Sequence, residues 1–433
     1  MLVVTGVATA GVVTRVTGIG DGYHSGSVPI ATRGEPRTGY TLVDPSRGNI
    51  EVRDLNGGLF SGPYDGVQPT DADNRWGTGV ADDPATANID AYYAAEMTWD
   101  YLLRTHARAG LAGDGTGFLL MTNIGEASDR TASYQADCRC VMLSPPPAGD
   151  RSMNTIDIVA HELGHGLSGL TAGFDNWGES GGLNEASSDI IGTLVEFAAA
   201  NPKDTPDYTI GEGTTGGPLR RMNAPETGCW DPTLADHDDT HVIGGPAIKF
   251  FYQLAVGSVS ARWGDSPTCD GGPAVTGIGN DKAGRIWYRA LTVHMVPNTD
   301  YAGARDATLR AAADLYGAGG VESRTVAAAW DAVGVDGSRP VPAAPTGPRM
   351  KVSFSWWDSV GTPTYHYVQV THPQRQKVQI GATGLPPGLR LDPGTGRLHG
   401  TPTTAGEYLV TLTATDAAGN TVTREVTWDI TTG

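Results

Sequence analysis

Apolar positions in the first 155 or so residues alternate in short runs, as at residues 11–16, among many Gly, Thr and Val. A two-residue period with β-branched residues and frequent turn formers predicts strands and turns. Residues 1–13 are apolar but broken by Gly and Thr, and are also predicted as a strand. One helix is predicted in this region, over 88–106, because Ile89, Tyr92, Tyr93, Met97 and Tyr101 recur at helical spacing. From Thr155 the period changes. Segments 156–168, 183–200, 245–257, 281–293, 303–316 and 323–334 have the apolar spacing and Ala content of helices, and several end near Gly. Four prolines within residues 340–348 then predict a stiff, extended linker over 336–349. Beyond it the two-residue period returns: Val410, Leu412 and Ala414 share one strand face, and Val422, Val426, Trp428 and Ile430 another. The expected organisation is α+β: a β-rich lobe (1–155), a helical lobe (156–335), the linker, and a small all-β sandwich over 350–433.

At 433 residues the chain can bury a sizeable core in two or three domains. Its formal net charge is −18, and residues 343–433 are nearly neutral, so the acidity belongs to the two lobes. Such a surface argues against nucleic acid and anionic membranes as partners. No stretch is apolar and long enough to span a bilayer, and residues 1–13 lack the basic start and unbroken apolar stretch of a signal peptide. Four cysteines allow two disulfides in three connectivities. Cys229 and Cys269 can close one long surface loop, whereas the spacing of Cys138 and Cys140 leaves their pairing open. The CxxC spacing of a redox or second zinc site is missing, which favours structural disulfides and an oxidising, extracellular setting.

The chemistry is concentrated in His161-Glu162-Leu163-Gly164-His165 and, twenty residues after His165, Glu185. Residues four apart on a helix lie about 40° apart around its axis, so His161 and His165 can grip one ion. Glu162 cannot face that ion but can lean over the water it holds, the position of a general base. Glu185 supplies a third, carboxylate ligand and leaves a fourth position open, as a catalytic zinc requires. Asp189, one turn beyond Glu185, can accept the free N–H of a ligating histidine.

HExxH followed at this spacing by Gly182-Leu183-Asn184-Glu185-Ala186-Ser187-Ser188-Asp189 resembles the thermolysin family of zinc endopeptidases. The metzincin pattern would need histidine at Thr171 and glycine at Ser168, and the aminopeptidase pattern would place its glutamate at Asn184. The resemblance implies a two-lobed thermolysin-like domain with its cleft between the lobes, secretion, a protein or peptide substrate, and a monomer. It implies that His241, held by Asp236, stabilises the oxyanion and that Arg220 holds a substrate carbonyl. Ala132 is implied as a substrate-strand contact, and Ile158, Ile210 and Leu219 as a pocket for a bulky apolar residue on the carboxyl side of the scissile bond. A paired calcium site is implied at Asp157, Glu196, Asp207, Thr209 and Glu212, with a short insertion before Asp207. Clustered carboxylates without a cation would repel one another. Asp71 and Asp73 are a weaker calcium candidate. Residues 385–406 resemble the immunoglobulin or cadherin-like modules of secreted bacterial enzymes, which makes cell wall, polymer or protein a candidate ligand of the sandwich. For Trp356, Trp357, Tyr365 and Tyr367, core packing is favoured over a binding face.

Two positions depart from the family pattern. Its second oxyanion-stabilising residue, a tyrosine, falls at Asn176, and its substrate-fixing asparagine at Thr131. These departures support one alternative, a peptidase fold weakened in catalysis and kept for secreted binding or adhesion, while the presence of Glu162 weighs against it. Gly178-Glu179-Ser180-Gly181-Gly182 also fits GxSxG, but Ser180 is expected on the connection between the zinc-ligand helices, without the elbow a serine nucleophile needs.

Overall fold

A computed structural model describes residues 14–35, 39–59, 65–126, 131–352 and 355–432; the strand expected at residues 1–13 lies outside them. The β-rich lobe contains two five-stranded sheets. One is built on the long antiparallel pair Thr14–Asp21 and Ser27–Glu35. The other runs through parallel strands Ile50–Asp54, Leu119–Thr122 and Cys140–Leu143 and ends on the edge strand Ala132–Gln135, antiparallel to its neighbour. Helix α1 (Pro84–His106) is started by Pro84 and by Asp83, whose carboxylate accepts the Ala85 N–H. Its buried Ile89, Tyr92, Trp99 and Leu102 join this lobe to the helical one in a single core.

The helical lobe opens with α2 (Ile156–Leu170) and α3 (Gly178–Ala199). Two glycines let these helices touch. A Cβ at Gly164 would lie 2.9 Å from Ser188 Cα, and one at Gly192 would lie 2.5 Å from the Asp157 carbonyl oxygen. The helices therefore run antiparallel, with residues 157–165 alongside 185–196. Helix α3 begins five residues before the predicted start at 183. Glycine costs about 1 kcal/mol relative to alanine in a helix, which hides this first turn from a propensity reading. The cost is offset by contact: a Cβ at Gly181 would meet Thr240 Cγ2 at 2.8 Å, and one at Gly182 would meet Ile243 Cγ2 at 2.6 Å.

Thr240 and Ile243 bound the short helix α4 (Thr240–Ile243), followed by α5 (Gly245–Ala255), α6 (Asn280–Arg289), α7 (Tyr301–Tyr316) and α8 (Val321–Ala332). Phe250 of α5 stacks on Trp330 of α8 at 3.9 Å between centroids, near the centre of this lobe. Disulfides join Cys138 to Cys140 and Cys229 to Cys269, leaving no free cysteine.

The sandwich contains a four-stranded sheet, a three-stranded sheet and a two-stranded pair. Val410, Leu412, Ala414, Val426, Trp428 and Ile430 form its core with Trp356, as the alternation predicts. Tyr365 and Tyr367 are half-buried, and Trp357 is exposed.

Candidate metal centre and cleft

Because α2 and α3 lie so close, the two histidines of one meet the glutamate of the other. Glu185 Oε2 is 3.4 Å from His161 Nε2 and 3.4 Å from His165 Nε2. The opposite ring nitrogens are taken: His161 Nδ1 lies 2.7 Å from Asp189 Oδ1, and His165 Nδ1 lies 3.1 Å from Ser188 Oγ. Both Nε2 atoms are thereby turned toward the glutamate. Glu185 Oε2 is buried and has no aligned hydrogen bond although imidazole nitrogens surround it. Two nitrogens and one carboxylate oxygen crowded in this way are a donor set that suits zinc. Burial opposes the Glu185 charge, yet the imidazoles of His161, His165 and His241 hold its carboxyl far below the usual range. Asp189 is also held low against its burial, by Arg220 and His161.

Glu162 is buried at the same turn of α2. His241 approaches from α4 and places its Nε2 3.1 Å from Glu185 Oε2. The aspartate that orients it is Asp239 rather than the expected Asp236. As N-cap of α4, Asp239 accepts the backbone N–H of His241 at 2.8 Å and lies 3.0 Å from its Nδ1. Asp236 sits in the preceding single turn Leu234–Asp236 and is exposed. A cap carboxylate two residues upstream is placed by the helix start itself, which a five-residue spacing does not capture. The Glu185 carboxylate, against burial, raises the pKa of His241.

Arg220 makes two bonds to Asp189, at 2.8 and 2.7 Å from Nε and Nη2. Its strand, Arg220–Arg221, pairs with Thr209–Ile210. A Cβ at Gly211 would touch Leu219 Cγ at 3.0 Å and Ile158 Cδ1 at 3.2 Å, so the expected pocket residues Ile158 and Leu219 meet there, while Ile210 is tied to Leu219 through its backbone carbonyl, which accepts the Leu219 N–H at 2.7 Å. Ala132 lies on the edge strand, paired with Leu143. Ser180 is inside α3, not on a connection, and its hydroxyl donates to the Pro297 carbonyl at 2.6 Å, a structural role.

At the other end of the α2–α3 contact is a cluster of carboxylates. Ligand atoms of Glu196, Asp204 and Glu212 lie within 4.8 Å of one another. Both Glu196 oxygens and Glu212 Oε2 are buried without a hydrogen-bond partner. Burial, then repulsion from Asp157, Glu212 and Asp204, pushes Glu196 up to about 11. Burial and neighbouring carboxylates likewise push Asp204 to about 7 and Glu212 to about 8. Oxygen donors with no cationic side chain among them suit calcium. Asp157 accepts the Gly211 N–H at 2.6 Å, and Asp207 accepts the Thr209 N–H at 2.6 Å, shaping the loop around the cluster. Asp204 was not anticipated: it lies within the short insertion before Asp207, where residue-by-residue correspondence with the family lapses. The weaker candidate, Asp71, accepts the backbone N–H groups of Asp73, Asn74 and Arg75, so its carboxylate closes a turn.

Residues 17–169 match the family model for the thermolysin metallopeptidase catalytic domain, and residues 172–335 match that for the thermolysin metallopeptidase alpha-helical domain. The chain belongs to the thermolysin family. Residues 352–431 match an Ig domain model, in keeping with the sandwich. The chain is similar to the transglutaminase-activating metalloprotease of Streptomyces mobaraensis, at 42% identity over 73% of this chain and 42% of that protein. It is 33% identical to the bacillolysin of Bacillus caldolyticus over 74% of this chain and 58% of the relative. It thus spans about half the length of these thermolysin-family relatives. The precursor of protealysin from Serratia proteamaculans has the same fold, with a TM-score of 0.52 at 23% identity over 67% of this chain and 89% of that one. Among the described residues no helix is long and apolar enough to cross a membrane.

Proposed function

We propose that this thermolysin-family chain is a secreted zinc endopeptidase whose lobes, 1–155 and 156–335, hold the substrate between them. The observation that supports it most is the convergence of His161 Nε2, His165 Nε2 and Glu185 Oε2, with both opposite imidazole nitrogens anchored. Zinc held by these residues supplies Lewis acidity toward water and the scissile carbonyl. Glu162 takes the proton of the attacking water and delivers it to the departing nitrogen. His241, oriented at Nδ1 by Asp239, donates from Nε2 to the oxygen on which charge develops. Arg220, fixed by Asp189, keeps Nη1 for a substrate carbonyl. The edge strand at Ala132 receives the substrate backbone by strand addition. Ile158, Ile210 and Leu219 accept a bulky apolar side chain on the carboxyl side of the cut bond. One or two calcium ions at Asp157, Glu196, Asp204, Asp207, Thr209 and Glu212 stabilise the helical lobe. The sandwich is the candidate for contact with cell wall, polymer or protein, and the chain acts as a monomer.

Mass-spectrometric mapping of cleavage in a peptide library, with zinc content measured in parallel, tests this reading. Cuts before Leu, Phe or Ile by protein with stoichiometric zinc are expected. Protein loaded with zinc and calcium that cuts no peptide would overturn it in favour of a binding module.

A further inference from the structure

The proline-rich linker suggests a spacer between independent modules, yet the sandwich is docked on the peptidase lobes. Arg349 donates to both oxygens of Asp175 at 3.0 Å. Lys351, two residues along the same strand, donates from Nζ to the Phe174 carbonyl and, at 3.0 Å, to Asn176 Oδ1. Arg375 reaches the carbonyls of Thr171 and Met295. The last turn of α2 and its following loop are cut back for this contact. A Cβ at Gly169 would lie 2.3 Å from Gln369 Nε2, and one at Gly173 would lie 2.5 Å from Thr371 Oγ1.

The same module also grips the β-rich lobe, at the turn that ends the substrate-strand hairpin. Tyr367 N–H donates to the Asp137 carbonyl at 2.6 Å, Trp356 Nε1 donates to its carboxylate at 3.0 Å, and Arg139 lies 3.9 Å over the Tyr367 ring. The linker itself is strapped down, with Arg339 bound to Glu179 and Asp300 and lying over Trp230. Sandwich contacts therefore hold the loop after the zinc helix and the turn after the edge strand, one segment from each lobe.

Asn176 is close to the metal centre through packing. A Cβ at Gly181 would meet both Asn176 C at 2.9 Å and Thr240 Cγ2 at 2.8 Å. Thr240 Oγ1 in turn lies 3.4 Å from Glu185 Oε1, and the next residue is His241. Asn176 also stands where the thermolysin pattern expects a tyrosine, so a group from the sandwich occupies the surroundings of a position that departs from the family.

We propose that the Ig-like module is a brace of the catalytic unit, and that Lys351 is a positioning residue acting through Asn176 on the His241 side of the cleft. A catalytic consequence rests on the peptidase reading; the brace itself does not. The test uses the full chain with Lys351→Ala, Lys351→Arg and, as a control, Lys377→Ala at an exposed position of the same module. Lys351→Ala is expected to speed amide exchange over 171–176 and to lower kcat by roughly three- to tenfold through misplacement of the cleft, with KM within about twofold and zinc content unchanged. Lys351→Arg should recover most of the loss, and Lys377→Ala should match the parent. Unchanged exchange over 171–176 in Lys351→Ala overturns the brace, and changed exchange with unchanged kcat overturns the positioning role. If the parent cuts no peptide, the peptidase reading fails and the exchange measurement alone decides the brace.

Discussion

Glu185 and Glu196 lie on one helix, both largely buried and both facing α2, yet their carboxyl groups are driven in opposite directions. Glu185 is held far below the usual range because His161, His165 and His241 surround it. Glu196 is pushed up to about 11 because burial is joined by Asp157, Glu212 and Asp204. At the zinc end the protein supplies its own cationic and hydrogen-bonding partners, including Arg220 and Ser188. At the carboxylate end both Glu196 oxygens and Glu212 Oε2 have no hydrogen-bond partner and face other carboxylates, so that end requires an external cation to be stable in its ionised form. The same helix contact thus builds one candidate site whose ligands are oriented by the chain's own side chains and one whose facing carboxylates have no such partners.

The largest expected effect separates chemistry from metal holding. Glu162→Gln should lower kcat/KM by about a thousandfold or more, since it removes the general base. Zinc content should stay stoichiometric, because Glu162 is not among the converging ligands. Loss of zinc in this variant would merge the two roles and break the contrast.

Calcium removal should come next. A ligand bound at a thousand times its Kd stabilises by about 4 kcal/mol, so a calcium-selective chelator should lower Tm sharply while zinc remains. Glu196→Gln should make Tm nearly independent of calcium and raise it in the chelated protein, because folding no longer has to protonate a buried carboxyl. A chelated parent that melts no earlier than the calcium-loaded one would show that the carboxylates are satisfied without an ion.

The pH dependence follows with a definite sign. Asp204 at about 7 and Glu212 at about 8 lie above their ordinary values, so the folded, chelated protein holds protons that the unfolded chain has released. Stability is then fully present below about pH 4 and is lost as pH rises through 7 to 8. Differential scanning calorimetry in chelator between pH 5 and 8 should show Tm falling from these groups, and calcium should flatten the trend by replacing the protons. A chelated Tm that rises across this window would place the carboxylates in matched pairs like those of the zinc end.

The smallest effect concerns His241. Asp239→Asn should lower kcat several-fold and shift the acid–base profile of kcat/KM, because a charged partner of Nδ1 becomes neutral. Asp236→Asn should leave both near the parent values. The reverse result would restore Asp236 to the role that its spacing suggests.

Much of this was legible in the chain because it depends on short-range geometry. His161 and His165 are four apart on a helix, and Asp189 is four beyond Glu185, so their shared faces follow from 3.6 residues per turn. The alternation at Val410, Leu412 and Ala414 likewise fixes which side of a strand is buried. The first turn of α3 was hidden because Gly181 and Gly182 are poor helix formers whose value lies in what packs against them. Asp204 was hidden inside an insertion, and the partner of His241 depended on where α4 begins.

By itself the sequence determined the candidate zinc ligands, the candidate general base, the order of β-rich, helical and sandwich regions, and most of the acidic second cluster. Each of these rests on residues near one another in the chain or on a repeat of its period. Tertiary structure alone decided that Gly164 and Gly192 bring α2 and α3 close enough for His165 to meet Glu185, that Asp239 holds His241, and that Lys351 reaches Asn176. Those contacts join segments separated by loops, and their geometry is set by how closely packed surfaces can approach, which periodicity along one segment does not encode.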